Sequence, residues 1–125
     1  MRIKKFVLLL LIYTISFSCT PSKRFGSNTK DIIVGYATYY GPGFHGKKTA
    51  SGETFDMYKM TCAHRTLPFG TSLIVTNLSN KKSVKVRVND RGPFVKGVIL
   101  DLSLGAAKKI GIDGKEKVEI RIIRR

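Results

Sequence analysis

The stretch that decides the fold of this chain lies at residues 84–94 and reads Val-Lys-Val-Arg-Val-Asn-Asp-Arg-Gly-Pro-Phe. Its three valines alternate with polar side chains, which is the period of a β-strand with one buried face. The strand must end near Asn89 and Asp90, because both are turn formers and Gly92 and Pro93 follow them. The pattern therefore predicts that the carboxyl group of Asp90 is held where a rigid strand becomes a loop.

A carboxyl group in this place has two interpretations. Asp90 can close an Asx turn and pair with Arg91, or it can be a functional group carried on a stable scaffold. Turn aspartates are much commoner than catalytic ones, so the strand end taken alone favours the structural interpretation.

The rest of the chain shows the same short β pattern, broken by turns that contain Gly or Pro. Further strands are predicted at residues 34–40, 71–78, 98–102 and 117–123. Residues 56–60 are predicted to form one helical turn, and Ser103 to cap a short helix that runs through Ile110 and ends at Gly111. Six or so short strands with one or two short helices indicate a mainly all-β protein whose sheet closes into a small barrel.

The N-terminus resembles an export signal. Basic residues in the first five positions precede an apolar run at residues 6–17, which is too short to span a bilayer comfortably. Ser18 and Cys19 then form the pair typical of a bacterial lipoprotein signal, so Cys19 is predicted to be lipid-modified. A plain signal or an uncleaved anchor is the alternative, because Ser16 stands where leucine is commonest.

This interpretation divides the chain into three parts. Residues 1–18 are the lipoprotein signal peptide, residues 19–31 are a flexible membrane tether, and residues 32–125 are one domain with a single small core. No aspartate follows Cys19 to argue for retention in the inner membrane. We therefore expect a lipid anchor in the outer membrane, with the domain facing the periplasm.

The chain is strongly basic, with 23 Lys and Arg against 8 Asp and Glu. Three of the basic residues fall in the signal, so the mature chain keeps 20 of them and a net charge of +12. Such a surface attracts nucleic acid, anionic lipid or acidic wall polymers, and an export signal makes nucleic acid the poorest of these choices. A generic solvated basic surface is the alternative.

Cys62 lies two residues before His64 and could be a nucleophile beside it. If Cys19 is acylated, however, Cys62 has no disulfide partner, and a free cysteine is more often a small buried apolar residue. We predict the buried role. Two histidines without a supporting cluster give no basis for a metal site, and no cofactor is predicted.

Three further stretches carry residues that a core does not need. They are Gly41-Pro42-Gly43-Phe44-His45-Gly46 with Thr49-Ala50-Ser51-Gly52-Glu53, then Ala63-His64-Arg65-Thr66-Leu67-Pro68-Phe69-Gly70-Thr71, and finally Asp101-Leu102-Ser103. Together with the Asn-Asp-Arg-Gly-Pro-Phe motif they closely resemble the rare lipoprotein A family, in the family's own order. The resemblance extends from about Gly35 to the last predicted strand, and it reverses the preference for Asp90 as a mere turn residue.

The resemblance implies a six-stranded double-psi β barrel, the fold shared with expansins and the barwin group. It also implies a lytic transglycosylase that cuts peptidoglycan glycan strands lacking stem peptides. The family's functional positions fall on Glu53, His64 and Asp90, each in an intact motif. Many family members carry a C-terminal wall-binding repeat domain that recruits them to division septa, and the absence of that domain from this sequence puts septal recruitment in doubt.

A lytic transglycosylase needs one carboxyl group that protonates the leaving oxygen and then acts as a base, because the primary hydroxyl of muramic acid attacks. We assign this role to Asp90. Glu53 could supply a negative charge that keeps Asp90 protonated, or could orient the sugar. His64 could hydrogen-bond Asp90, substrate or transition state. For both residues a hydrogen bond that only pins a loop is an equal alternative.

Substrate contacts are expected from Tyr39, Tyr40, Phe44, His45, Arg65, Asn89 and Arg91. The aromatic members could stack on sugar faces, although core packing explains some of them equally well. The sequence thus predicts a monomeric, lipid-anchored enzyme that acts on peptidoglycan glycan strands. The alternative is a non-catalytic, expansin-like module that binds an anionic wall through its charge.

Overall fold

The computed structural model describes residues 31–124, to which all structural statements below refer. Six strands form one closed barrel in the order β1-β5-β2-β4-β3-β6. Their bounds are β1 (Ile32–Tyr40), β2 (Thr61–Ala63), β3 (Ser72–Asn77), β4 (Ser83–Asp90), β5 (Val98–Ser103) and β6 (Glu116–Ile123). The prediction of a mainly β, six-stranded barrel is confirmed. The predicted signal peptide, Cys19 and nearly all of the predicted tether lie outside the described residues.

The core forms as the alternation predicts. Val84, Val86 and Val88 are at most 4% exposed, while Lys85 between them is exposed. Cys62 is fully buried in the same core, as predicted. Because burial raises the pKa of its thiol to about 12, Cys62 carries no thiolate near neutral pH and cannot serve as the nucleophile considered above.

Strand β2 was not predicted, and the prediction of a helical turn at residues 56–60 is wrong. All three residues of β2 are buried, and a fully buried strand shows no alternation of apolar and polar residues. Residues 56–60 form turns instead of a helical turn. The Asp56 carboxylate accepts a hydrogen bond from the Tyr58 N–H at 2.9 Å, a local bond that competes with helix formation.

The helix after β5 begins as predicted. Helix α1 (Leu104–Lys109) follows Ser103, whose Oγ accepts a hydrogen bond from the Ala106 N–H at 3.3 Å. Gly111, at φ +71°, adopts the left-handed conformation that commonly ends a helix. A short 3-10 turn (Pro42–Phe44) follows β1. Within residues 31–124 no helix is both long and apolar enough to cross a membrane.

Candidate active site

A β-bulge turns Asp90 out of the core. Val88 pairs with Cys62, but the next pair along β2 joins Ala63 to Asp90, so two residues of β4, Asn89 and Asp90, oppose one residue of β2. Without the extra residue, Asp90 would share the inward face of Val88. The bulge instead places the carboxyl group on the outer face, as bulges beside active sites commonly do.

Asp101 lies in the same row of the barrel as Asp90. Ala63 pairs with Asp90 on β4 and with Asp101 on β5, and Asp101 in turn pairs with Thr38 on β1. Side chains at paired positions point to the same face of a sheet, so the two carboxyl groups flank one strand on one face. The Thr38 hydroxyl donates to Asp101 Oδ1 at 3.0 Å. Asp101 belongs to the motif Asp101-Leu102-Ser103, but no role was predicted for it.

One of the two carboxyl oxygens of Asp90 accepts hydrogen bonds from the backbone. Its Oδ1 accepts hydrogen bonds from the Ala50 N–H at 2.9 Å and from the Arg91 N–H at 2.8 Å. Among the described residues no hydrogen bond of good geometry reaches Oδ2, although the Tyr40 hydroxyl lies close enough to the carboxyl group to interact with it. Asp90 therefore fastens the loop that precedes β2 to the end of β4 and keeps one oxygen for another partner.

Tyr40 brings a buried hydroxyl close to both carboxyl groups. Its ring stacks on Phe55 with centroids 4.5 Å apart and meets the ring of Phe44 edge-on at 5.7 Å. No hydrogen bond of good geometry reaches the hydroxyl within the described residues, although Asp90 is near enough to interact. Burial raises the pKa of this hydroxyl, and the charges of Asp90 and Asp101 raise it further. The hydroxyl is therefore placed to interact with the carboxyl groups and, being buried, is not exposed to a ligand.

His64 is fixed in one tautomer. Its Nδ1 accepts hydrogen bonds from the N–H groups of Thr66 and Leu67, each at 3.1 Å, so the proton of the neutral ring lies on Nε2. Burial lowers the pKa of the ring, as do the charges of Arg91 and Arg65. His64 thus pins the loop that follows β2 and presents a neutral N–H donor from its other nitrogen.

Glu53 is paired with a cation. Arg87 donates to both of its oxygens, at 2.6 and 2.9 Å, and Asn89 Nδ2 donates to Oε2 at 3.1 Å. These hydrogen bonds lower the pKa of Glu53, first that from Arg87 and then that from Asn89. Because Arg87 balances its charge, Glu53 is not the free negative neighbour that the sequence analysis considered for Asp90. It lines a cavity of about 350 Å³ together with Asp56 and Lys59.

The two arginines predicted to contact the substrate, Arg65 and Arg91, donate hydrogen bonds within the protein. Arg65 donates three hydrogen bonds of 2.6–2.9 Å to carbonyl oxygens at residues 93–98. Arg91 donates to two carbonyl oxygens in the loop at residues 64–67, and its guanidinium lies 3.9 Å from the centroid of the Phe69 ring. These side chains hold loops around the site, and neither forms an ion pair with Asp90.

The remaining predicted contacts differ in their accessibility. Phe44 is 54% exposed, and His45 is exposed with its ring edge-on to Tyr58 at 5.7 Å. Tyr58 is 65% exposed and was not among the predicted substrate contacts, because a single tyrosine in a polar turn belongs to no recognisable sequence pattern. Tyr39 packs against the core, and Asn89 is only 2% exposed, so Asn89 supports Glu53 and does not face a substrate.

A depression larger than the cavity at Glu53 lies elsewhere on the surface. It measures about 1010 Å³ and is lined by residues 67–72 and 122–124 with Lys85 and Arg87, and it does not include Asp90. We place the active site at the carboxyl groups because cleavage chemistry needs an acid more than it needs volume. In the described part of the chain no group of three or more His, Cys, Asp or Glu could hold a metal ion.

Asp101 makes the stability of the protein depend on pH. Burial raises the pKa of Asp101 to about 6, and the charge of Asp90 adds to this, while the hydrogen bond from Thr38 opposes it. A carboxyl group with a higher pKa folded than unfolded binds its proton more tightly in the folded state. Its contribution to stability is therefore present below the ordinary value of 3.8 and is lost as the pH rises through about 6.

We accordingly expect Asp101→Asn to melt at a higher temperature than the wild type at about pH 8, with the advantage vanishing near pH 4. Asparagine cannot ionise, and it can still accept the hydrogen bond from Thr38. Thermal melts followed by circular dichroism at both pH values provide the measurement, with Asp113→Asn, at an exposed carboxyl, as the control. A variant that melts lower than the wild type at about pH 8 would contradict this account.

Comparison with known proteins places these residues in a family. Residues 32–122 match the family model described as lytic transglycolase. The chain belongs to this family. The resemblance to rare lipoprotein A is likewise confirmed by curated relatives of that name, and a lytic transglycolase domain is what the motifs around Asp90 predicted.

Two relatives illustrate the similarity. The chain is 61% identical over 83 residues to a probable endolytic peptidoglycan transglycosylase RlpA of Synechocystis sp., covering 66% of this chain and 26% of the relative. It is 54% identical over 88 residues to the endolytic peptidoglycan transglycosylase RlpA of Campylobacter jejuni, covering 70% and 32%. The match thus spans only about a quarter to a third of these curated relatives.

Solved structures support the fold. An expansin of Clavibacter michiganensis superposes with a TM-score of 0.60 at 26% identity, covering 74% of this chain and half of that one. The Streptomyces papain inhibitor superposes with a TM-score of 0.58 at 26% identity, covering 74% and 94%. The predicted double-psi β barrel is confirmed.

Proposed function

We propose that this protein is an endolytic peptidoglycan transglycosylase that cleaves glycan strands and leaves anhydromuramoyl ends. The observation that carries the proposal is the bulge, which places the Asp90 carboxyl on the outer face, where two backbone N–H groups hold its Oδ1. The similarity to relatives named for this activity supports the substrate class.

Asp90 is the acid and then the base of the proposed reaction. Its proton passes to the glycosidic oxygen as the bond from that oxygen to C1 breaks, which leaves an oxocarbenium-like sugar and a carboxylate. The primary hydroxyl of the same muramic acid then attacks C1 and gives its proton to Asp90. The carboxyl group returns to its starting state, and no second carboxylate has to deliver water.

The neighbouring residues have separate parts in this scheme. The Nε2–H of His64 donates to the substrate or to developing charge, since Nδ1 is already occupied. Phe44 is exposed and offers an aromatic face to a sugar ring. Glu53, fixed by Arg87, orients a sugar hydroxyl in the adjoining cavity. A preference for strands lacking stem peptides is proposed from the family resemblance.

Digestion of purified peptidoglycan tests the function. Intact sacculi and sacculi stripped of stem peptides are incubated with the protein, and the soluble products are identified by mass spectrometry. We expect anhydromuramoyl ends, with more product from the stripped material. Reducing ends would instead show hydrolysis, and a lack of soluble product would reject the enzyme.

A non-catalytic, expansin-like wall-binding module is the second candidate. The net charge of +12 expected for the mature chain and the similarity to an expansin structure favour it. Sedimentation with insoluble peptidoglycan separates the two functions. Binding that persists in Asp90→Asn, together with no soluble product from the wild type, would establish this alternative.

The proposed location is the envelope, with Cys19 lipidated and the anchor in the outer membrane facing the periplasm. The signal-like residues that precede Cys19 support the anchor.

Cys19→Ala is expected to abolish incorporation of labelled fatty acid and to leave the precursor unprocessed, as followed by metabolic labelling and gel mobility. Labelling equal to that of the wild type would remove the anchor from the proposal. The monomeric state stays a prediction.

A further inference from the structure

Asp101 is a carboxyl group without a counter-charge. None of the ion pairs within residues 31–124 includes Asp101 or Asp90. Asp101 interacts electrostatically with Tyr40 on β1, Cys62 on β2 and Asp90 on β4, and all three are acids. Burial and the negative charges of neighbouring acids both stabilise the protonated form of a carboxyl group.

The two carboxyl groups are held in different ways. Asp90 Oδ1 accepts two backbone N–H groups, an arrangement that suits a carboxylate. The Asp101 side chain instead accepts its hydrogen bond from the hydroxyl of Thr38. The row of paired residues places them on either side of Ala63, with one strand between them. Burial in turn favours the protonated form of Asp101.

The Tyr40 hydroxyl is placed to connect them. It is buried, it lacks a partner of good geometry in the described part of the chain, and the charges of both aspartates act on it. A buried hydroxyl without a partner is costly, so its retention needs a reason. A hydroxyl can accept from a protonated carboxyl group and donate to a carboxylate at the same time.

We propose that Asp101 is a positioning residue that acts through Asp90, by holding the proton for cleavage and passing it to Asp90 through the Tyr40 hydroxyl. The inference rests on the proposed function and adds a second carboxyl group to it. The proton moves from Asp101 to the hydroxyl oxygen of Tyr40 while the hydroxyl proton moves to Asp90. Asp90 then protonates the glycosidic oxygen, and the proton released by the attacking hydroxyl restores the pair by the reverse path.

A titration that does not depend on cleavage tests the pair first. The aspartate carboxyl carbons of the full chain are labelled with ¹³C, and their chemical shifts are followed from acid to alkaline pH in the wild type and in Asp90→Asn. We expect the Asp101 midpoint to lie above the ordinary value of 3.8 and to fall in Asp90→Asn, because the charge of Asp90 contributes to raising it. An unchanged Asp101 midpoint would overturn the inference, whether or not the protein cleaves peptidoglycan.

The pH profile of cleavage then tests the role. In Asp101→Asn the alkaline limb of the rate should move to lower pH by about one unit, which is about tenfold less activity at mildly alkaline pH. Asp101→Glu should recover part of the wild-type pH profile. Tyr40→Phe, which lacks the bridging hydroxyl, should also lower the rate at mildly alkaline pH. If Asp101→Asn keeps the wild-type profile, scaled by a constant factor, Asp101 is only structural. The proposed function fails separately, if the wild type yields no anhydromuramoyl product.

Discussion

Asp90→Asn is expected to lower the release of anhydromuramoyl products by on the order of a hundredfold to ten-thousandfold, the usual contribution of a general acid–base group. Asparagine cannot donate a carboxylic proton, but its Oδ1 can still accept the hydrogen bonds from Ala50 and Arg91. The fold should therefore persist, and the melting temperature should stay within a few degrees of that of the wild type.

The measurement is product release from stripped sacculi, quantified by mass spectrometry under initial-rate conditions. Asp113→Asn removes an exposed carboxyl group in the turn before β6 and serves as the matched control, with wild-type activity expected. If Asp90→Asn releases product at the wild-type rate, another group supplies the proton and the proposed mechanism is wrong.

Gly92→Val should cost on the order of a hundredfold in cleavage rate while leaving a cooperative unfolding transition. Gly92 has φ +124°, a backbone conformation that a β-branched side chain adopts only with strain. The space itself is adequate, because a Cβ atom there would lie 3.7 Å from the nearest side-chain atom, in Phe94. The strain is relieved by movement of the loop that carries Asp90, and a shift of about 1 Å is enough for such a loss in rate.

Gly114→Val is the matched control for this strain. Gly114 also has a positive φ, +87°, and a Cβ atom added to it would meet no described atom within 4 Å. It lies away from Asp90, in the loop before β6. Both variants should melt a few degrees lower than the wild type, since about 1 kcal/mol of strain moves the midpoint of a small domain by roughly that amount. Only Gly92→Val should lose activity. Equal losses of activity in the two variants would show that the loss comes from general destabilisation and not from the position of Asp90.

The hydrogen bonds explain why motifs far apart in the sequence meet at one strand end. The Ala50 N–H donates to the Asp90 side chain, and the Ser51 N–H donates to the Asn89 carbonyl at 3.3 Å. From the other side, the His64 N–H donates to the Asp90 carbonyl at 3.2 Å. The end of β4 therefore fastens the loops before and after β2. A substitution in any of the three motifs can disturb the others without contacting the substrate.

Local patterns in the sequence were enough for several features. Alternation in β4 predicted the buried valines, and the cap at Ser103 and the glycine at Gly111 predicted the limits of helix α1. These predictions hold because strand alternation, helix capping and turn geometry depend on residues only a few positions apart. The family motifs identified Asp90, His64 and Glu53 as functional positions but did not show how these side chains are arranged.

By itself, then, the sequence determined a mainly β barrel, its valine-lined strand and the end of that strand at a carboxyl group. Only the tertiary structure decided that a bulge turns Asp90 outward, that Arg87 neutralises Glu53, and that Asp101 shares a row with Asp90. The reason is distance along the chain, since Thr38 and Asp101 are 63 positions apart, and Ala50 and Asp90 are 40 apart. Contacts of that kind depend on the register in which strands pair when the barrel closes, and a register shift of one residue moves every side chain of a strand to its other face.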